Sequence, residues 1–400
     1  MTQLIPPIYE GRTPALVKHA LLKSYLEKLV LIIGMSARSS GRAEICYVDC
    51  FAGPWGSDDE KLEGTSISLS LKTLAACKET LESLGVIARM RALYVERDKA
   101  AFKRLSNYLE HEAPRTVEAE ARQGDFVSLR GEILDFVGKD AFCFFFIDPK
   151  GWKPIVIDVL RPLLERPRSE FLINFIYEFI NRAASMAEYR DDIRRLLGRD
   201  VQLTGQTPEE RELSLVGAYR AALTSCFPKA RPPFTARTAY VTVMHPESRR
   251  TKYHLVYLSS HPKGIVEFME ISQNVEIVQA RVRVASRLDE QLGQAGTPDM
   301  FVDHAIAEAD ESRSEPRQVD QFWRDHLAEG ERLVNEAAFA DILELTSWLP
   351  KELQASLVRL IKAGEVVNLD ALGKRRPVKP LHFHGKGERL RLTRTIDALE

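Results

Sequence analysis

The chain has 400 residues, 44% apolar and 28% charged, with 56 basic against 57 acidic side chains. That length points to two or three domains, and the composition excludes a disordered, collagen-like or low-complexity polymer. No stretch reaches the roughly 18 uncharged apolar residues of a membrane span, the N-terminal segment lacks a secretory pattern, and the 5 cysteines include no C-x-x-C pair, so a cytoplasmic protein without a zinc site or disulfide scaffold is expected.

The first predicted element is a helix from Thr13, with Pro14 suited to its first turn and Leu16, His19, Ala20, Lys23, Leu26 and Leu29 at helical spacing. Strands and helices then alternate. Ile45–Val48 reads as a strand ending in Asp49, Thr65–Leu84 as a helix, Arg91–Val95 as a strand ending in Glu96, and Lys99–Glu112 as a helix. Thr116–Ala121 leads to Gly124-Asp125-Phe126 and a helix through Val137. Ala141–Ile147 is uninterrupted apolar chain, as a strand covered on both faces requires, and it ends in Asp148-Pro149. A helix over Ile155–Leu164 and a strand over Phe171–Phe175 follow.

This alternation implies right-handed crossovers and a doubly wound, mostly parallel, Rossmann-like sheet. Ligands of such sheets bind beyond the carboxyl ends of the strands, so Asp49, Glu96, Asp125 and Asp148 are expected along one rim. Residues 181–235 read as a helical insertion covering that rim, and Thr238–Met244 with Lys252–Leu258 as an antiparallel edge. Two helices, Lys263–Asn274 and Val278–Leu292, complete an α/β domain over 1–292, followed by a linker region over 293–318. From 319 to 400 the pattern is three helices (Val319–Ala328, Phe339–Leu345, Pro350–Ala363) and two short strands around a basic loop, the pattern of a winged helix-turn-helix. Between Lys374 and Arg394 eight basic residues face one acidic residue, Glu388. Lys374, Arg375, Arg376, Lys379, Arg389 and Arg391 are therefore candidate nucleic-acid contacts.

The candidate site residues follow from this layout. In Asp49-Cys50-Phe51-Ala52-Gly53-Pro54-Trp55-Gly56, Gly53 and Gly56 permit close backbone approach of a ligand, while a tight strand-to-helix turn explains them without one. Glu96 stands where a carboxylate can accept from a ribose diol; a solvated strand end is the plain alternative. Asp125 can accept from an adenine amino group with Phe126 packed on the ring, or simply cap the next helix. In Asp148-Pro149-Lys150-Gly151-Trp152, the carboxylate and the Pro149 carbonyl can hold an acceptor amino group while Trp152 stacks on a flat substrate; an ordinary turn with a core tryptophan is the alternative. The histidines show no ligand spacing, and no metal is expected.

Together, Tyr47–Trp55, Tyr94-Val95-Glu96, Gly124-Asp125-Phe126, Phe145–Trp152, Leu172–Phe175, the Lys18-His19 helix and Tyr257–Gly264 resemble the three-Cys-motif partner proteins over about residues 13–275. The tail looks like the winged-helix domain attached to such proteins. The resemblance implies a class I methyltransferase-like fold with S-adenosylmethionine at Asp49, Phe51, Gly53, Gly56, Glu96, Asp125 and Phe126. Asp148, Pro149, Lys150 and Trp152 then lie at the reacting centre. It also implies a separately encoded partner, a three-cysteine-motif protein likened to radical-SAM proteins. Lys150-Gly151-Trp152 departs from the Pro-Tyr or Pro-Phe of amino-methylating enzymes.

Three functions are consistent with this pattern. One is a methyltransferase acting on DNA or RNA, in which positioning supplies most of the catalysis. A second is a non-catalytic nucleic-acid-binding adaptor with a degenerate methyltransferase fold. The third, a metal-dependent nuclease, lacks a compact acidic cluster in the sequence.

Overall fold

The computed structural model describes residues 5–10, 12–53, 62–229, 234–246, 248, 250–295, 314–373 and 376–393. Its centre is a seven-stranded sheet of β1 (Arg42–Asp49), β2 (Ile87–Glu96), β3 (Val117–Gln123), β4 (Phe142–Ile147), β5 (Ser169–Phe175), β6 (Arg237–Met244) and β7 (Thr251–Ser259). The order is β3-β2-β1-β4-β5-β7-β6. Strand β7 runs antiparallel to both neighbours, and the other pairings are parallel. This is the strand order of a Rossmann-like methyltransferase fold, and the expected class of the sheet domain stands.

Alternation along the strands builds two cores. Tyr47, Tyr94, Phe144, Leu172 and Tyr257 face one side, where α1 (Thr13–Ser36), α2 (Ser66–Ser83), α3 (Lys99–His111) and α9 (Pro262–Ala295) close the layer. Val48, Leu93, Phe145, Ile173 and Val256 face the other, under α4 (Phe126–Val137), α5 (Ile157–Leu164), α7 (Arg190–Leu197) and α8 (Pro208–Cys226). All six residues of β4 are buried, which explains its unbroken apolar sequence; each fully buried phenylalanine contributes about 1.5–3 kcal/mol.

Helix α1 runs back along β4 and β5. Tyr25, two turns after Lys18 on the same face, donates to Glu170 Oε2 (2.9 Å) and touches the hydroxyl of Tyr257. Ser259 Oγ donates to Glu170 Oε1 at 2.8 Å. This buried polar knot ties α1 to β5 and β7 and fixes where the N-terminal half of α1 meets the rim. Gly264 completes it, because a Cβ there would stand 2.9 Å from Ser259 Oγ.

Several sequence expectations are revised. The two helices expected between 263 and 292 are one continuous α9, since Ser272-Gln273-Asn274 is polar but contains no helix breaker. The segment expected to cover the rim is mainly a layer: α8 packs on α5, β6 and β7, and Tyr219 donates to the Ile155 carbonyl at 3.0 Å. Among the described residues, α6 (Tyr177–Ala183) and the turn at Ala187–Tyr189 adjoin the rim. The region read as a linker begins inside α9 and ends inside α10 (Pro316–Leu327), and residues 296–313 lie outside the described set.

The C-terminal unit contains α10, β8 (Arg332–Val334), α11 (Glu336–Thr346), α12 (Pro350–Lys362), β9 (Val366–Asn368) and β10 (Glu388–Leu392). Its sheet has the order β8-β10-β9, all antiparallel. The three-residue β8 carries no hydrophobic alternation and was not foreseen. The unit is docked on the sheet domain: α11 packs on α9 and β6, and buried Arg237 contacts Asp341 Oδ1 (2.5 Å) and Glu344 Oε2 (2.7 Å). Arg220 donates to the Glu344 carbonyl at 3.0 Å. Among the described residues, no helix is long and apolar enough to cross a membrane.

Candidate active site

Strands β1 and β4 are neighbours from which the chain winds in opposite directions, so their carboxyl ends form the crevice where open α/β sheets take ligands. Asp49 pairs in register with Tyr94 on one side and Phe146 on the other. Beyond it the chain stays wedged between the flanking strands, with Cys50 N–H donating to the Phe146 carbonyl (3.0 Å) and Ala52 N–H to the Val95 carbonyl (2.9 Å). Phe51 and Gly53 are thereby held over the crevice.

Asp49 is fully buried, accepting from Phe51 N–H at 3.1 Å and from Ser66 Oγ, in the first turn of α2, at 2.6 Å. Burial pushes its carboxyl up to about 7. The two hydrogen bonds oppose that rise, the Asp148 charge reinforces it, and Lys18 counters it. Asp49, Asp148 and Lys18 therefore share one electrostatic neighbourhood.

Glu96 is 4% exposed at the end of β2 and accepts from Asp98 N–H at 2.6 Å through Oε1. Burial raises its pKa, while Lys150 lies close enough to lower it. Gly124 N–H donates to the Glu96 carbonyl at 3.0 Å, bringing the turn after β3 against the end of β2. Asp125 is exposed and caps α4 through Val127 N–H at 2.9 Å, the local role weighed for it above. The Phe126 ring packs 5.1 Å from that of Phe51, so two residues assigned to the cofactor site stand together.

At the end of β4, both oxygens of Asp148 are engaged. Lys18 Nζ lies 2.5 Å from Oδ2, and Asn174 Nδ2 donates to Oδ1 at 2.6 Å. The Lys18 ammonium is also 5.5 Å from the centre of the Tyr253 ring, whose hydroxyl donates to the Pro14 carbonyl at 2.7 Å. Pro149 is buried and Lys150 exposed. Trp152 corrects an expectation: at 9% exposure it packs edge-on against Tyr189, 6.2 Å between ring centres, as a core residue and not as a stacking platform. His19, hydrogen-bonded to the Tyr9 hydroxyl at 3.1 Å, is held down to about 4, first by burial and then by the Lys18 charge. It is neutral near pH 7.

The rim therefore gathers Asp49, Phe51, Gly53, Glu96, Phe126 and Asp148, with Asp125 and Lys150 at its margin. Gly56 lies outside the described residues, as does Trp55. Sequence reasoning did not assign Lys18, Ser66 or Tyr253 a role. For Lys18 the signals were the family resemblance of the Lys18-His19 helix, which gave no role, and its two-turn spacing from Tyr25, which a helix 24 residues long offers at many positions.

No family model matches the sequence. No curated protein matches it. Solved structures do. An O-methyltransferase from Bacillus cereus in complex with SAH is 12% identical, with 58% of this chain and 80% of that one covered and a TM-score of 0.27. The O-methyltransferase TomG from Streptomyces achromogenes, involved in tomaymycin synthesis and in complex with SAM, is 13% identical over 58% and 80%, with a TM-score of 0.29. A DUF574-family protein from Streptomyces avermitilis is 11% identical over 60% and 83%, with a TM-score of 0.30. At these values the assignment of fold rests on the strand order itself.

Among the described residues, no group of three or more His, Cys, Asp or Glu is arranged to hold a metal. A cavity of about 980 Å³ opens between α1 and α9 beside the start of β5, at the opposite end of the strands from the crevice. In the C-terminal unit, Arg376 is bound to Glu388 at 2.6 Å, and Arg389 pairs with Asp370 (2.8 Å) and Glu331 (3.3 Å). These two arginines, candidate nucleic-acid contacts above, are paired with acidic residues of their own unit. Lys379, Lys386 and Arg391 are exposed, and Lys374 and Arg375 lie outside the described residues.

Proposed function

We propose that this protein binds S-adenosylmethionine in the crevice between β1, β2 and β4 and transfers its methyl group to a nucleic acid. The supporting observation is the convergence of buried Asp49 and Glu96 with Asp148 at the switch point of the sheet. Glu96 offers its carboxylate to a ribose hydroxyl, Phe51 and Phe126 offer an apolar wall for adenine, and Asp148 marks the acceptor side. Solved structures with partial likeness carry SAM or SAH, which agrees with this reading.

Nucleic acid is the preferred acceptor because the C-terminal unit runs helix-strand-helix-helix-strand-strand, the order of a winged helix, and exposes Lys379, Lys386 and Arg391 at its wing. The resemblance to three-Cys-motif partner proteins adds a three-cysteine-motif, radical-SAM-like protein as the working partner. A second reading, a non-catalytic nucleic-acid-binding adaptor, is favoured by one observation: each oxygen of Asp148 already has a partner within the chain, Lys18 or Asn174.

Calorimetry with S-adenosylhomocysteine tests the cofactor assignment. Binding with a 1:1 end point is expected. No heat at millimolar ligand would remove methyl transfer and leave the adaptor reading first.

A further inference from the structure

Resting on the methyl-transfer reading, the occupancy of Asp148 also bears on which atom accepts the methyl group. An amine methylated beside a carboxylate donates its hydrogens to that carboxylate and keeps one lone pair for the methyl carbon. Here the carboxylate oxygens face Lys18 at 2.5 Å and Asn174 at 2.6 Å. An incoming amine therefore meets an ammonium. That ammonium competes for the single lone pair and opposes the positive charge that develops on nitrogen during transfer. Lys18 does not readily swing away, because its side chain is only 16% exposed and packs toward the Tyr253 ring, which is anchored to Pro14. Below it, the Tyr25–Glu170 hydrogen bond holds α1 in place.

A hydroxyl fits the same pair without conflict. Its oxygen carries two lone pairs and one hydrogen. We infer that the acceptor is a hydroxyl that lies against the Lys18–Asp148 pair and bridges it from the side, donating its hydrogen to Asp148 Oδ2 and accepting from Lys18 Nζ. One oxygen lone pair then attacks the methyl carbon. The O–CH₃ bond forms as the S–CH₃ bond breaks, and the sulfonium sulfur keeps the bonding pair and leaves as S-adenosylhomocysteine. The hydroxyl proton passes to Asp148, and Lys18 steadies the negative charge that grows on oxygen. Asn174 keeps Asp148 oriented as a positioning residue. In a nucleic-acid substrate, the hydroxyl repeated along the chain is the ribose 2′-hydroxyl, which RNA has and DNA lacks. The substrate class is therefore RNA.

The test uses the full chain with methyl-tritiated S-adenosylmethionine and, in separate reactions, total cellular RNA and genomic DNA, each digested afterwards to nucleosides. Label is expected in ribose-methylated nucleosides from RNA and absent from DNA. Lys18→Met is expected to lower the labelling about 100-fold while S-adenosylhomocysteine affinity stays within about threefold, and Lys18→Arg to restore part of it. A melting curve for each variant separates loss of chemistry from loss of fold. Label on a base nitrogen, label in DNA, no label in either polymer, or full labelling by Lys18→Met overturns the hydroxyl assignment. Failure of the wild type to bind S-adenosylhomocysteine defeats instead the reading on which the inference rests, and failure to retain RNA on a filter defeats its nucleic-acid part.

Discussion

Asp49→Asn tests the electrostatics of the crevice through stability alone, without a substrate. Asp49 is fully buried, and its carboxyl is pushed up to about 7 from an ordinary value of 3.8. The folded state thus keeps a proton that the unfolded chain has already released, so this group's contribution to stability is fully present below about pH 4 and is lost as pH rises toward 7. A shift of about three units, at about 1.36 kcal/mol each, removes about 4 kcal/mol by pH 8. Asparagine has the same shape and never ionises. Its Oδ1 can accept from Phe51 N–H, and its amide can donate to a rotated Ser66 hydroxyl. Urea denaturation of both proteins at pH 5 and pH 8 reads the effect. Asp49→Asn is expected to be the more stable protein at pH 8, with its advantage over wild type growing by about 2–3 kcal/mol between pH 5 and pH 8 at unchanged m-value. Parallel stabilities at the two pH values would show that Asp49 is not a buried neutral acid, and the account of the rim would fall with it.

Other expectations concern separate parts of the molecule. Glu96→Ala removes the carboxylate offered to a ribose hydroxyl and should weaken S-adenosylhomocysteine binding about tenfold or more in calorimetry; equal affinity would exclude Glu96 from the cofactor site. Lys379→Ala with Arg391→Ala should flatten the slope of log K against log salt for RNA by roughly 0.7 per lost phosphate contact, with an unchanged slope excluding the wing. Point variants are preferable to truncation at Lys374, which would delete β10, the middle strand of the C-terminal sheet. Arg237→Ala leaves Glu344 half-buried without its guanidinium and should destabilise the docked C-terminal unit by about 3 kcal/mol, visible as faster amide exchange in α11. Gly264→Ala drives a methyl group into the Tyr257–Ser259–Glu170 knot and should lower stability by about 1–3 kcal/mol; a neutral result would mean that α9 shifts freely there.

Much of the architecture was legible from local pattern. The apolar run of β4, the alternation of helix and strand periods, and the polar residues closing each strand place Asp49, Glu96 and Asp148 on one rim, because parallel strands must all present their carboxyl ends on the same side. Helix breakers and caps placed most boundaries, and the single α9 was missed where polar residues without glycine or proline resembled a break. Charge was read less well than pattern. A count of basic residues between 374 and 394 carries no information on their partners, and Glu388, Asp370 and Glu331 meet Arg376 and Arg389 in space.

What the linear chain by itself determined was therefore the fold class, the rim and the identity of its carboxylates, since these follow from periodicities of two and 3.6 residues that are local properties of the backbone. Only the tertiary structure decided what those carboxylates face. Lys18 reaches Asp148 across 130 positions of sequence, carried there by α1 and held by a knot formed from Tyr25, Glu170, Tyr257 and Ser259. Trp152 turned inward for the same kind of reason, as a large apolar ring finding space beside Tyr189. Such meetings depend on how whole layers pack, and no window of neighbouring residues contains that information.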